Sequence, residues 1–225
     1  MEKTQKVLVV GASGGTGRAT LEALVAEGHR VTAFSRGAES IQDLPEGVRP
    51  MNGDATRLED VERAVAGHDA VVVTLGITEN PLRVRLFGAA RTPMDVRSEG
   101  TRNVVTAMAK HGVRRLVVQS SYGVGETRNG LRWIDRLVFM ALLKPQMDDT
   151  EVQEGIVRES GVDWVLAQPV HLTDDDDDDA PFASVDGEVQ RWKVSRKGVG
   201  RFLAIATQGT DYVRQSVALS AGGAV

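Results

Sequence analysis

Seven residues, Gly11-Ala12-Ser13-Gly14-Gly15-Thr16-Gly17, join an apolar run at 7–10 to a segment at 14–27 whose apolar positions are Ala19, Leu21, Leu24 and Val25. A strand that turns through glycines into a helix presents free N–H groups and a positive dipole end to an anion. The glycines permit a tight turn and a close backbone approach to a pyrophosphate. The spacing is G-x-x-G-x-x-G. Strand, loop and helix together predict a dinucleotide phosphate site at Gly11, Ser13, Gly14, Gly15, Thr16 and Gly17, rather than a turn that only packs a helix on a strand. A second apolar run, 30–34, leads into Ser35 and Arg36, and no acid appears until Glu39. An acid there would bind the ribose 2′-hydroxyl of NAD, whereas a guanidinium suits the 2′-phosphate of NADP. NADP is therefore expected over NAD, with Ser35 and Arg36 at the 2′-phosphate and Arg18 a candidate second contact. The alternative for Arg36 is a solvated surface arginine. Gly53-Asp54, after a weak strand at 48–51, is positioned to border the adenine.

These residues need a frame. Strand patterns at 7–10, 30–34, 48–51, 69–75, 114–119, 162–167 and 215–219 alternate with helical patterns at 14–27, 58–66, 95–111, 131–143, 149–160 and 196–207. That alternation predicts an α/β fold of the Rossmann type: one doubly wound, mainly parallel sheet with helices on both faces. No repeat or linker divides the chain, so a single domain over 1–225 is expected. Two long connections, 76–93 and 171–187, interrupt the rhythm and read as substrate-side loops. The first carries Arg83, Arg85 and Arg91, the second six consecutive aspartates, 174–179. Either the aspartates are a solvated run or they face the arginines as a salt-sensitive lid.

Composition narrows the class. The 225 residues are 41% hydrophobic and 26% charged, which excludes a disordered or fibrous chain. A net charge of −4 and only 4% aromatics disfavour a nucleic-acid partner, which needs cationic and stacking surface. Apolar runs far shorter than a bilayer span argue against a membrane segment. With no cysteine there is neither a disulfide nor a thiolate nucleophile. The chain passes from Met1 through Lys6 straight into the first strand, leaving no room for a signal peptide, so a cytoplasmic setting is expected. The four histidines have no metal-ligand spacing, and no metal is expected.

The glycine loop, Asn52-Gly53-Asp54, Val65-Ala66-Gly67-His68-Asp69, Ser98-Glu99-Gly100-Thr101-Arg102-Asn103, His111-Gly112-Val113, Arg158-Glu159-Ser160-Gly161 and Pro169-Val170-His171 carry a family likeness over roughly residues 5–219. The chain resembles the atypical short-chain dehydrogenase/reductase family in its NAD(P)H-binding, NmrA-like branch, close to the biliverdin and flavin reductases. The resemblance implies that Ser13, Gly14, Gly15 and Thr16 hold the pyrophosphate, that Arg36 meets the 2′-phosphate, and that Asp54 and Ala55 border the adenine. It implies that Leu75 and Gly76 lie along the nicotinamide ribose, that Ser120 and Ser121 end a strand beside the nicotinamide, and that Pro169, Val170 and His171 flank its face. Ser121 matches the family's active-site serine.

One departure bears on chemistry. Many superfamily members protonate a substrate oxygen with Tyr-x-x-x-Lys. Here Tyr122 is followed at the fourth position by Glu126 and Tyr212 by Ser216. A positioned acid is worth about 10²–10⁴-fold, so plain ketones would be slow. Flavins, quinones and tetrapyrroles delocalise the incoming charge and can take their proton from water. The expected activity is thus hydride transfer from NADPH to a conjugated small-molecule acceptor. His171 either donates to that acceptor or is bonded to backbone, and Tyr122 either swings toward the pocket or packs at a strand end. The alternative function is an NADP-binding redox sensor that engages a partner protein without turnover. A nucleotide-sugar epimerase would need the missing tyrosine.

Overall fold

The computed structural model describes residues 4–77, 92–130, 144–176 and 179–223. Its central sheet has eight strands in the order β3-β2-β1-β4-β5-β6-β10-β8. The strands are β1 (Lys6–Val10), β2 (Arg30–Ser35), β3 (Arg49–Asn52), β4 (Ala70–Val73), β5 (Arg115–Gln119), β6 (Asp163–Pro169), β8 (Phe182–Ser184) and β10 (Gln215–Ser220). All pairings are parallel except β10 with β8. Two further strands, β7 (His171–Thr173) and β9 (Lys193–Ser195), pair in parallel beside the main sheet. The order reverses at β1 and β4, the switch point outside which open α/β sheets bind ligands.

Alternation within β1 divides the core in two. Val7 and Val9 point to the face covered by α1 (Gly15–Ala26) and α5 (Arg196–Ile205). Leu8 and Val10 point to the face covered by α2 (Leu58–Val65), α3 (Val96–His111) and α4 (Lys144–Glu159). Strands buried on both faces have no polar side to spare, which is why 7–10 and 70–73 are unbroken apolar runs. α3 stops at Gly112, whose φ of +69° is the left-handed turn that favours glycine.

The doubly wound α/β architecture is as the sequence predicts, with local differences. α4 is helical from Lys144 within the described residues, ahead of the expected start at 149. Within 171–187, residues His171–Thr173 and Phe182–Ser184 are the short strands β7 and β8, which the sequence reading places in a loop. The predicted helix at 131–143 and the arginines of 78–91 lie outside the described residues.

His68, in the turn before β4, approaches Thr32 of β2, with Nε2 and Oγ1 2.9 Å apart. Burial lowers its pKa from 6.5, outweighing nearby backbone bonds that raise it. The folded state therefore disfavours the imidazolium, while the unfolded chain accepts a proton near 6.5. Stability is expected to fall as pH drops below about 6.5. Unfolding followed from pH 7.5 to 5 should show a shallower decline for His68→Gln than for the wild type. Parallel declines would discard the assignment.

Candidate active site

A cleft of about 750 Å³ opens along the carboxyl edge of the sheet. Its floor is the turn after β1. Gly11, with φ of +93°, donates its N–H to Phe34 O at 3.0 Å, and Gly14 donates to Gly11 O at 3.2 Å. α1 then starts at Gly15 with no side-chain cap and no acidic residue in its first turn. Its leading N–H groups, which no helix carbonyl can satisfy, face the cleft. Thr74 tightens the floor by reaching Val10 O and Gly11 O, each at 3.2 Å.

Gly11, Ser13, Gly14, Gly15, Thr16, Ser35, Arg36, Asp54, Ala55, Leu75 and Gly76 all line this cleft. Gly17 lies beneath it in α1 and sets the helix against the loop. Arg36 is exposed at the end of β2, and its Nη2 donates to buried Thr92 Oγ1 at 3.1 Å. Asp54 Oδ1 accepts from Thr56 N at 2.9 Å and from Thr56 Oγ1 at 2.8 Å, while Asn103 of α3 donates to Ala55 O at 2.9 Å. The loop after β3 is thereby fixed against α3.

The other predicted residues stand apart from the described wall of the cleft. Ser120 is buried, and its hydroxyl donates to Glu154 of α4. Ser121 is half-buried, with Oγ donating to Tyr122 O at 3.3 Å. Pro169 ends β6, and its carbonyl accepts from Tyr122 N at 3.0 Å. Val170 packs into the core and donates its N–H to Leu219 O at 3.0 Å. His171 is exposed at the start of β7. Tyr122 is 5% exposed, donates its hydroxyl to Gly187 O at 3.1 Å and meets Trp192 edge to face at 5.4 Å. Burial raises its phenol pKa. Of the two roles open to Tyr122, this is packing.

Sequence reasoning missed five polar members of the wall: Thr74, Thr92, Arg97, Gln119 and Arg196. None belongs to the glycine fingerprint, so its spacing does not flag them. Arg97 is the second residue of α3. Burial lowers its pKa, with Asp149 opposing, and its buried Nη1 has no hydrogen-bond partner. The described aspartates have partners nearby in the chain, while Arg83, Arg85 and Arg91, the other half of the lid expectation, lie outside the described residues. Asp174, Asp175 and Asp176 pair with Arg196, Lys193 and Lys197 at 2.6, 3.0 and 2.7 Å. Asp177 and Asp178 lie outside the described residues.

The residues present fit a nicotinamide dinucleotide. A helix N-terminus without acid or cap suits a pyrophosphate, and Arg36 suits an added phosphate. The buried Ser35 Oγ on the cleft wall has no hydrogen-bond partner, a group that a ligand would satisfy.

Comparison with known proteins agrees. A family model described as NAD(P)H-binding matches residues 11–208. An uncharacterized chloroplastic protein of Arabidopsis thaliana is 30% identical over 177 residues, covering 77% of this chain and 61% of that protein. A 3-beta-hydroxysteroid dehydrogenase of Mycolicibacterium neoaurum is 34% identical over 126 residues, covering 53% of this chain and 32% of its own. The chain thus spans about a third to three-fifths of the length of these relatives. Among solved structures, the anaerobilin reductase ChuY of Escherichia coli O157:H7 aligns with a TM-score of 0.74 at 21% identity, over 96% of both chains. A short-chain dehydrogenase/reductase of Veillonella parvula in complex with NADP aligns at 0.76 and 16% identity, over 98% of this chain and 96% of that one. Among the described residues no helix is long and apolar enough to cross a membrane.

Proposed function

This chain belongs to the NAD(P)H-binding family of atypical short-chain dehydrogenases/reductases, and from that premise we propose that it is an NADPH-preferring reductase of conjugated acceptors such as flavins, quinones or tetrapyrroles. The carrying observation is Tyr122. Its hydroxyl is committed to Gly187 O and its ring to Trp192, and no lysine stands four residues on to lower its pKa. A site without a placed phenol acid favours acceptors that delocalise charge and draw their proton from water.

Bound nicotinamide supplies the hydride, and the protein supplies position and charge. Ser13, Gly14, Gly15 and Thr16 hold the pyrophosphate, Ser35 and Arg36 the 2′-phosphate, and Asp54 and Ala55 the adenine edge. Leu75 and Gly76 run along the nicotinamide ribose. Ser121, Pro169 and His171 are assigned to the nicotinamide end, where Ser121 and His171 are the proposed hydrogen-bonding partners of the acceptor, while Ser120 and Val170 support them from the core. The acceptor enters over the carboxyl ends of β4 and β5, where Gln119 and Arg97 line the wall.

NADPH oxidation with menadione, dichlorophenolindophenol and FMN tests the reading. Turnover is expected with at least one of them, and none with simple secondary alcohols plus NADP⁺. Tyr122→Phe should change the rate less than tenfold. Rapid alcohol oxidation that collapses in Tyr122→Phe would overturn it. Cofactor choice rests on Arg36: Arg36→Ala should weaken NADPH by about 1.5–3 kcal/mol and leave NADH nearly unchanged. Equal losses would return Arg36 to the surface.

One observation favours a second reading. The chain keeps the glycine loop and lacks the Tyr-x-x-x-Lys pair, as an NADP-binding sensor that engages a partner protein would. Tight NADPH binding with no oxidation by any of the three acceptors would favour that sensor.

A further inference from the structure

Arg196 comes from the far end of the chain, yet its side chain lies across the glycine loop. A Cβ placed on Gly15 would sit 2.6 Å from Arg196 Cδ and 3.0 Å from Nε. The approach is built into the fold. Ser195 caps α5, its Oγ accepting from Gly198 N at 3.0 Å, which fixes Arg196 as the first helical residue. One turn on, Gly200 abuts the α1 backbone, where an added Cβ would be 2.6 Å from Ala19 C. The helices are in backbone contact, so Arg196 is held in register with the start of α1. Its guanidinium donates to Asp174 Oδ1 at 2.6 Å, and both residues line the cleft. The Asp174 side chain is 88% exposed and that of Arg196 31%.

We propose that Arg196 is a phosphate-binding residue of the dinucleotide cleft, and that Asp174 is an internal carboxylate which the cofactor's pyrophosphate displaces from it. This rests on the reading that the cleft takes a nicotinamide dinucleotide. A pyrophosphate at the α1 N-terminus lies beside Gly15 and therefore beside this guanidinium. Carboxylate and phosphate are both suited to the guanidinium fork, and one cation cannot serve both fully. A mostly exposed ion pair is weak and exchanges readily. The β7–β9 pairing, which sets Thr173 opposite Ser195, keeps Asp174 beside Arg196 and so near the cleft. The aspartate run thereby lowers cofactor affinity by competition.

The test is NADPH and NADH affinity measured by cofactor fluorescence on the full chain. Arg196→Ala and Arg196→Gln should weaken both cofactors alike, by about tenfold or more, because the pyrophosphate is common to them. Asp174→Asn should tighten both by roughly two- to fivefold, and should have no effect in the Arg196→Ala background. Asp175→Asn should change affinity less than Asp174→Asn. Unchanged affinity in both Arg196 variants overturns the proposal, as does equal tightening by Asp174→Asn and Asp175→Asn, which would reveal only a general field. A wild type that binds neither cofactor overturns the dinucleotide reading itself. A wild type that binds both, with Arg196 variants to match, sinks this inference alone.

Discussion

Gly17→Ala is expected to abolish measurable dinucleotide binding and to lower the melting temperature by roughly 6–12 °C. The cause is steric. A Cβ at Gly17 would sit 2.9 Å from Ala12 Cα and closer still to Gly11 O, both backbone atoms of the loop. Neither can move as a flexible side chain would, so α1 must lift from the β1 turn. Overpacking of this kind costs about 3 kcal/mol, and each kcal/mol is worth ~2–4 °C in a chain of this size. The same shift turns the leading N–H groups of α1 away from the phosphate position. Gly14→Ala is the contrasting variant. Its Cβ would meet only Gly11 O, at an ordinary 3.5 Å. It should melt with the wild type yet bind NADPH more weakly, because the methyl occupies space a phosphate approaches. Thermal melts with and without NADPH separate the two effects. Gly17→Ala with wild-type binding, or Gly14→Ala with a large loss of stability, would refute this division of the loop.

The glycine loop was legible because its chemistry is local. The strand, the turn and the helix start are contiguous, and each leaves a mark within a few residues. Arg36 was legible for the same reason, standing at the end of the next strand, and so were Asp54 and Ala55. Arg196 was not. It reaches Gly15 because Gly200 lets α5 touch α1, a contact between segments some 180 residues apart that no periodicity reports. The aspartate run was visible as a charge block, but its partners Lys193, Arg196 and Lys197 sit on β9 and α5. Strand β9 is only three residues long and carries no pattern of its own. The family resemblance implies Ser120 beside the nicotinamide, whereas its hydroxyl turns to Glu154, a residue fixed by how α4 docks.

That contact carries the last expectation. Glu154 is fully buried, and its Oε1 accepts from Ser120 Oγ and, at 2.8 Å, from Gln168 Nε2. Its Oε2 accepts from Arg158 Nη2 at 2.9 Å, and the same guanidinium donates to Ser216 Oγ at 3.1 Å. One carboxylate thus joins the ends of β5 and β6 to α4 and, through Arg158, to β10. Glu154→Ala leaves the buried Ser120 hydroxyl without its acceptor, the Gln168 amide with Val124 O alone, and Arg158 with only Glu126 and Ser216. Removing one partner from such a network costs about 3–5 kcal/mol. Arg158, 29% exposed, regains some water, which puts the loss near the lower end. Glu154→Gln keeps an acceptor and the shape but sets an amide NH₂ against Arg158, for about half that loss. Adding Arg158→Ala to Glu154→Ala should cost less than the sum of the singles, since the second change removes a charge that has already lost its buried partner and keeps only the exposed Glu126. NADPH affinity should hold within about threefold, because no atom of the network lines the described cleft wall, while KM for the acceptor should rise as Ser120 and its neighbour Ser121 loosen. Denaturant melts with NADPH titrations measure both quantities. A Glu154→Ala protein within about 0.5 kcal/mol of wild type would show that the network only fills space.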